Sequence, residues 1–185
     1  VVVSAMSGET NRLVSLASEI SNRIDVPEYD MLVASGEQVS VSLLSLALRK
    51  RGIEPAPMLA RNAGILTDSQ FSRASILKVK GDAIKVAIDK GQLPIIAGFQ
   101  GVTEDGRLTS LGRGGSDTSA VAIAAGIGAK ECIIYTDVDG VFTTDPRICK
   151  DARIIRTINY EEMLEMASQG SKVLHIRSVQ LAAKW

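Results

Sequence analysis

Gly112-Arg113-Gly114-Gly115-Ser116-Asp117 runs without a break into the alanine-rich residues 118–125, a glycine turn opening straight into a helix. Three glycines let a backbone turn tightly and approach a ligand closely, and the helix that follows aims its first N–H groups and positive dipole end at whatever sits in the turn. Arg113 adds a permanent cation and Asp117 a carboxylate, so these residues suit an acidic substrate and can also position a phosphate or its metal. The plainer reading is a glycine turn with Ser116 as its N-cap. From these residues alone both readings stand.

Outward from this turn, short apolar runs alternate with helical periodicity. Residues 1–5, 93–99 and 132–136 have the pattern of strands buried on both faces of a parallel sheet, and 53–58 is a weaker candidate. Helical patterns cover 10–24, 31–49, 80–89 and 116–125, and Asn159 with Glu162 three residues later opens one over 160–167. Alternation of this kind predicts a layered α/β fold with a mainly parallel sheet and right-handed crossovers, in one domain over 1–185. Ligands in such sheets bind at the carboxyl ends of the strands. Polar residues gather there: 4–10 after the first strand, Gln100-Gly101 after the third, and Asp137-Val138-Asp139-Gly140-Val141-Phe142-Thr143-Thr144-Asp145-Pro146-Arg147 after 132–136. That last loop combines hydroxyls, carboxylates, an arginine and an aromatic, a set suited to a nucleotide.

With 45% hydrophobic and 23% charged residues in 185, the chain can build a sizeable core. Lys plus Arg equals Asp plus Glu at 21 each, so no net field favours nucleic acid or an anionic membrane, and neither is expected as a partner. No apolar run approaches the roughly 18 residues of a membrane span, and no signal peptide is legible; a cytoplasmic location is expected. Cys132 and Cys149 lack C-x-x-C spacing and read as free thiols, Cys132 in a buried strand. Residues 1–3 begin inside an apparent strand and the chain ends just after a helical pattern, so a piece of a longer polypeptide is expected.

Other chemistries find no support. There is no Walker A pattern and no G-x-G-x-x-G after a strand, and the aspartate-rich loop lacks the spacing of an EF-hand. His175 is the sole histidine, which leaves no histidine-rich metal centre; at a helix entrance it reads as a packing or surface residue. Lys172 beside Gly170-Ser171 can reach a phosphate or can be a solvated helix end.

Taken in order, SAMSGETN (4–11), LVASGEQVS (32–40), GRGGSD (112–117), TDVDGVFTTDPR (136–147) and KVLHIRSV (172–179) resemble the aspartate kinases of the amino acid kinase family. The resemblance covers essentially the whole chain. It implies a three-layer αβα fold of the carbamate kinase-like type around a mainly parallel sheet. It also implies phosphorylation of the β-carboxylate of L-aspartate by ATP and Mg2+, the first step toward lysine, threonine and methionine, in a homo-oligomer. Carried over motif by motif, the aspartate pocket falls on Thr10, Glu37, Phe99, Arg113 and Ser116. Arg113 would clamp a carboxylate as a fork while Glu37 pairs with the α-ammonium, and Asp117 would organise the transfer centre. ATP would be held by Thr136, Asp137, Phe142, Arg147 and Lys172, with Phe142 replacing the family's usual tyrosine.

The family's opening strand and glycine turn, Lys-Phe-Gly-Gly-Thr-Ser, holds the ATP phosphates and is expected upstream of Val1. The last of the sheet and the regulatory ACT domains are expected beyond Trp185. On that expectation the longer parent is the kinase and the 185-residue piece lacks activity. Two alternatives are another amino acid kinase of the superfamily and an inactive fragment that binds ligand or supports assembly. Glu37 and Arg113 together argue against a nucleoside monophosphate acceptor, and an acetylated amino acid has no ammonium for Glu37.

Overall fold

The structure is a computed structural model and describes residues 1–170 and 173–184. Its first half runs β1 (Val2–Val3), α1 (Glu9–Ile20), α2 (Pro27–Val33), α3 (Ser35–Arg49), β2 (Pro55–Met58), α4 (Ala60–Ala63), β3 (Ile65–Thr67) and β4 (Ile76–Val79). Its second half runs α5 (Asp82–Asp89), β5 (Leu93–Ala97), β6 (Gln100–Val102), β7 (Leu108–Ser110), α6 (Gly115–Ile127), α7 (Tyr160–Ser168) and α8 (Ile176–Lys184).

β5 is the centre of a parallel sheet of order β1-β5-β2, in which Ile96 stands opposite both Val2 and Met58. Because successive side chains of a strand point to opposite faces, β5 feeds two cores. Ile95 and Ala97 pack with Val41 and, around it, Leu44 and Leu48 of α3. Ile96 packs with Met58, Ile84 of α5 and Ile123 of α6. Helices therefore cover both faces, the three-layer arrangement anticipated for an apolar run such as LPIIA. Each isoleucine so buried contributes about 2–3 kcal/mol.

A second sheet of order β4-β3-β6-β7 went unread in the sequence. Its strands are three or four residues long, too short to show a period, and it is mixed: β3 runs parallel to β6 while β3/β4 and β6/β7 are antiparallel. Gly101 of β6 is tight against β3, since a Cβ there would lie 2.2 Å from Thr67 Cγ2.

Three expectations are corrected. Residues 132–136 form no strand: they pair with no other strand among the described residues, Ile133 and Tyr135 are 64% and 92% exposed, and Cys132 is exposed rather than buried. An apolar run becomes a strand only where a neighbouring edge takes up its backbone groups. The expected helix over 31–49 is two helices, α2 opening on Pro27 at its first turn and α3 starting after Ala34. Together Pro27–Arg49 are long and apolar enough to cross a membrane, against the expectation that no such run exists. Here α3 lies on the sheet through Val41, and the stretch buries two carboxylates, Asp30 and Glu37.

Candidate active site

The carboxyl edge of the parallel sheet gathers four segments. β1 leads into Ala5, whose N–H donates to Glu37 Oε1 at 3.0 Å. Gly36 leaves no room for more: a Cβ there would sit 2.9 Å from Ala5 Cβ. Next to β1, β5 leads into Gly98 and Phe99, and Phe99 N–H donates to Ser119 Oγ of α6 at 3.1 Å. The glycine turn closes on the same point, because a Cβ on Gly98 would meet Ser116 at 3.0 Å and one on Gly115 would meet the Phe99 ring at 2.8 Å. Phe99 has φ of 65°, a left-handed conformation costing a non-glycine residue about 1–2 kcal/mol and characteristic of sites that hold ligands.

Five residues anticipated for an amino-acid pocket fall along this edge. Thr10 lies half-buried in the first turn of α1; Glu37 is in the first turn of α3; Phe99 follows β5; Arg113 and Ser116 flank the glycine turn. Arg113 is exposed and has no partner among the described residues. Ser116 is not an N-cap: Gly114, at φ 69°, occupies that position, and no side chain caps α6. The plainer reading of the turn therefore loses its cap, and the helix start faces the site with no side-chain acceptor of its own. Asp117 stands in the first turn of α6, where burial pushes its carboxyl up and His175 pulls it back.

Glu37 is the least satisfied group at this edge. It is 3% exposed, its second oxygen Oε2 is buried without a hydrogen-bond partner among the described residues, and burial pushes its pKa up to about 7 against the pull of the Ala5 N–H. A buried carboxylate in that condition is stabilised by a cation brought to it.

Thr136, Asp137, Phe142 and Arg147 line one cavity of about 890 Å3, closed on the other side by Glu165, Met166 and Gln169 and reached by Val173. That volume suits a cofactor-sized ligand. The loop is not carried on a strand end, as expected, but folds back on itself: Phe142 bridges to Ile154, and Ile155 N–H donates to Val141 C=O at 2.8 Å. Arg147 is held by Asp145 through Nε at 3.1 Å and Nη2 at 2.8 Å. Lys172 lies outside the described residues. Of three residues beside the site, sequence reasoning took His175 as a packing or surface residue, which its contact with Gly114 bears out, and missed Asp30 and Arg177. His175 packs its side chain on Gly114, where a Cβ would lie 2.2 Å from His175 Cβ; Asp30 and Arg177 grip the segments 72–73 and 110–111 beneath the turn. Only the KVLHIRSV motif pointed toward two of them.

A glycine turn open to an anion thus lies at the carboxyl edge of a parallel sheet covered by helices on both faces, apart from the cavity under the 136–147 loop. The amino acid kinase family matches residues 1–184, and the chain belongs to that family. It is 53% identical over its full 185 residues to the aspartate kinase of Pseudomonas putida, of which it spans 45%. Among solved structures it is similar to the aspartate kinase from Synechocystis, with 44% identity and a TM-score of 0.84 over all of this chain and 30% of that one. It is also similar to E. coli aspartokinase III in complex with aspartate and ADP, with 34% identity and a TM-score of 0.79 over 95% of this chain and 39% of that one. The chain thus spans about half the length or less of these relatives.

Proposed function

We propose that this chain forms part of the catalytic domain of an aspartate kinase, which transfers the γ-phosphoryl group of ATP to the β-carboxylate of L-aspartate in the cytoplasm, within a homo-oligomer. The observation that carries the reading is Glu37, a buried carboxylate with one unpartnered oxygen, on the same sheet edge as the unpaired guanidinium of Arg113. A zwitterionic acid brings an ammonium to the first and a carboxylate to the second. Thr10, Phe99 and Ser116 complete the pocket. The relatives' names and the aspartate and ADP of the E. coli complex support the same substrates.

The acceptor is already ionised at neutral pH, so the transfer needs no general base; positioning and neutralisation of charge do the work. Arg113 and Glu37 fix the amino acid, the open start of α6 and Asp117 face the transfer centre, and Thr136, Asp137, Phe142, Arg147 and Lys172 hold the nucleotide. Arg147 reaches a phosphate by exchanging Asp145 for it. Mg2+ is an ion held by one or two carboxylates together with phosphate oxygens. Asp137 and Asp139 line the cavity and supply such donors. Bound there, the ion would neutralise phosphate charge.

The test is ADP release by the full-length parent with L-aspartate, L-glutamate, N-acetylglutamate or UMP as acceptor. Turnover is expected with L-aspartate and magnesium. Equal or greater turnover with any other acceptor overturns the assignment.

A further inference from the structure

Asp30 is completely buried, and among the described residues it has no cation. Its carboxylate lies in α2 and accepts from two distant segments. The N–H of Ser72 donates to both oxygens, at 2.9 and 3.0 Å, while Ser110 donates its N–H to Oδ2 at 2.7 Å and its hydroxyl to Oδ1 at 2.6 Å. Four such bonds offset much of the cost of burying the charge. Arg177, in the first turn of α8, completes the grip from the other side. Its guanidinium donates to the C=O of Leu111 and, at 3.2 Å, to the C=O of Arg73. Each of the segments 72–73 and 110–111 thus gives an N–H to a carboxylate and, one residue later, a C=O to a guanidinium.

The two segments are also tied together by Ala74 N–H donating to Ser110 C=O at 2.9 Å. What they support is the glycine turn. Gly112 follows Leu111 directly, at φ 73°, and the Ser72 carbonyl oxygen lies 2.9 Å from where its Cβ would be. Ser72 itself is held at φ 65°, a conformation that persists only where its surroundings fix it. Arg113 is the next residue along.

We infer that Asp30 and Arg177 are positioning residues: between them they set the base of the glycine turn and so aim Arg113 at the carboxylate of the substrate. This rests on the role proposed above for Arg113. Neither side chain is placed against substrate; both act through backbone.

The experiment uses the full-length protein with Asp30→Asn, Arg177→Lys and Ser110→Ala. In steady-state kinetics each variant is expected to raise KM for L-aspartate about tenfold, the scale of effect that a small misplacement of a binding group produces. KM for ATP, read at saturating L-aspartate, should change by about twofold or less, because the cavity proposed for the nucleotide is lined by other residues and the coupled site is then filled. A second readout needs no substrate: tryptic cleavage after Arg113, followed by mass spectrometry, should accelerate about fivefold in the variants as the turn loosens, with cleavage after Arg51 unchanged. A purely structural role would lower the melting temperature and move both KM values together or neither, and that result overturns the inference. So does unchanged cleavage after Arg113. Should the parent not use aspartate, the proposed function fails while the cleavage arm still decides the clamp. If Asp30→Asn does not fold, Arg177→Lys and Ser110→Ala carry both readouts.

Discussion

At Glu37 two requirements pull against each other. Burial favours the neutral acid, holding its pKa at about 7 instead of 4.5, while recognition of an ammonium needs the carboxylate. The folded state therefore binds a proton more tightly than the unfolded chain does. That contribution to stability is fully present below pH 4.5 and is lost as pH rises to about 7. Glu37→Gln should accordingly be more stable than the parent at pH 8, by about 2 kcal/mol in denaturant titration, and much poorer with aspartate. In the parent, KM for aspartate should fall as pH rises from about 6 to about 8, and calorimetry at pH 7 in buffers of different ionisation heat should find about half a proton released on binding. Loss of that pH dependence in Glu37→Gln checks the assignment. Arg113 carries the complementary prediction. Because its side chain is exposed and unpartnered, Arg113→Ala should leave stability within about 1 kcal/mol while sharply weakening aspartate use; a variant that unfolds would mean the residue anchors the turn instead. Arg113 and Glu37 were legible as residues because motifs carried them. Asp30 was not, since an aspartate just before the helical pattern of 31–49 looks like a solvated position until a turn 42 residues away and a strand 80 residues away arrive on it.

Among the elements, legibility followed the length of the local signal. β5 and α6 were readable from an unbroken apolar run and from a glycine turn opening into alanines, and the structure places them at 93–97 and 115–127. The capping box of α7 was readable too: Glu162 N–H donates to Asn159 Oδ1 at 2.8 Å and Asn159 N–H to Glu162 Oε2 at 3.3 Å. Asn159→Ala should cost about 1 kcal/mol in thermal or urea unfolding, with Asn159→Ser close to neutral. Equal loss in both would show that the cap is idle. By contrast, β3, β4, β6 and β7 carry too few residues to declare a period, and their pairing is written in contacts such as Thr67 Oγ1 to Thr109 Oγ1 at 2.6 Å. The opposite error at 132–136 has the same root: strand character belongs to the sheet that receives the run, and composition alone does not supply a receiving edge.

Across the whole molecule, the edge proposed for the amino acid and the cavity proposed for the nucleotide lie on different supports, one on the parallel sheet and one between the 136–147 loop and α7. The segment 173–177 touches both. Val173 lines the cavity, His175 two residues on packs against Gly114 of the glycine turn, and Arg177 two further on grips Leu111 and Arg73. The imidazole is itself oriented, since Arg177 N–H donates to His175 Nδ1 at 3.3 Å. A nucleotide that packs against Val173 therefore presses on the turn that carries Arg113, and the two ligands should bind cooperatively. By linkage the effect must be reciprocal, ADP tightening aspartate by the factor with which aspartate tightens ADP. Isothermal titration of the full-length protein should give a factor of about five or more in both directions. His175→Ala removes the ring that fills the space over Gly114, so the factor should fall toward one while either ligand alone keeps its affinity within about twofold. An undiminished factor in His175→Ala would show that the segment does not carry the coupling, and loss of aspartate affinity without nucleotide would make His175 part of the pocket instead.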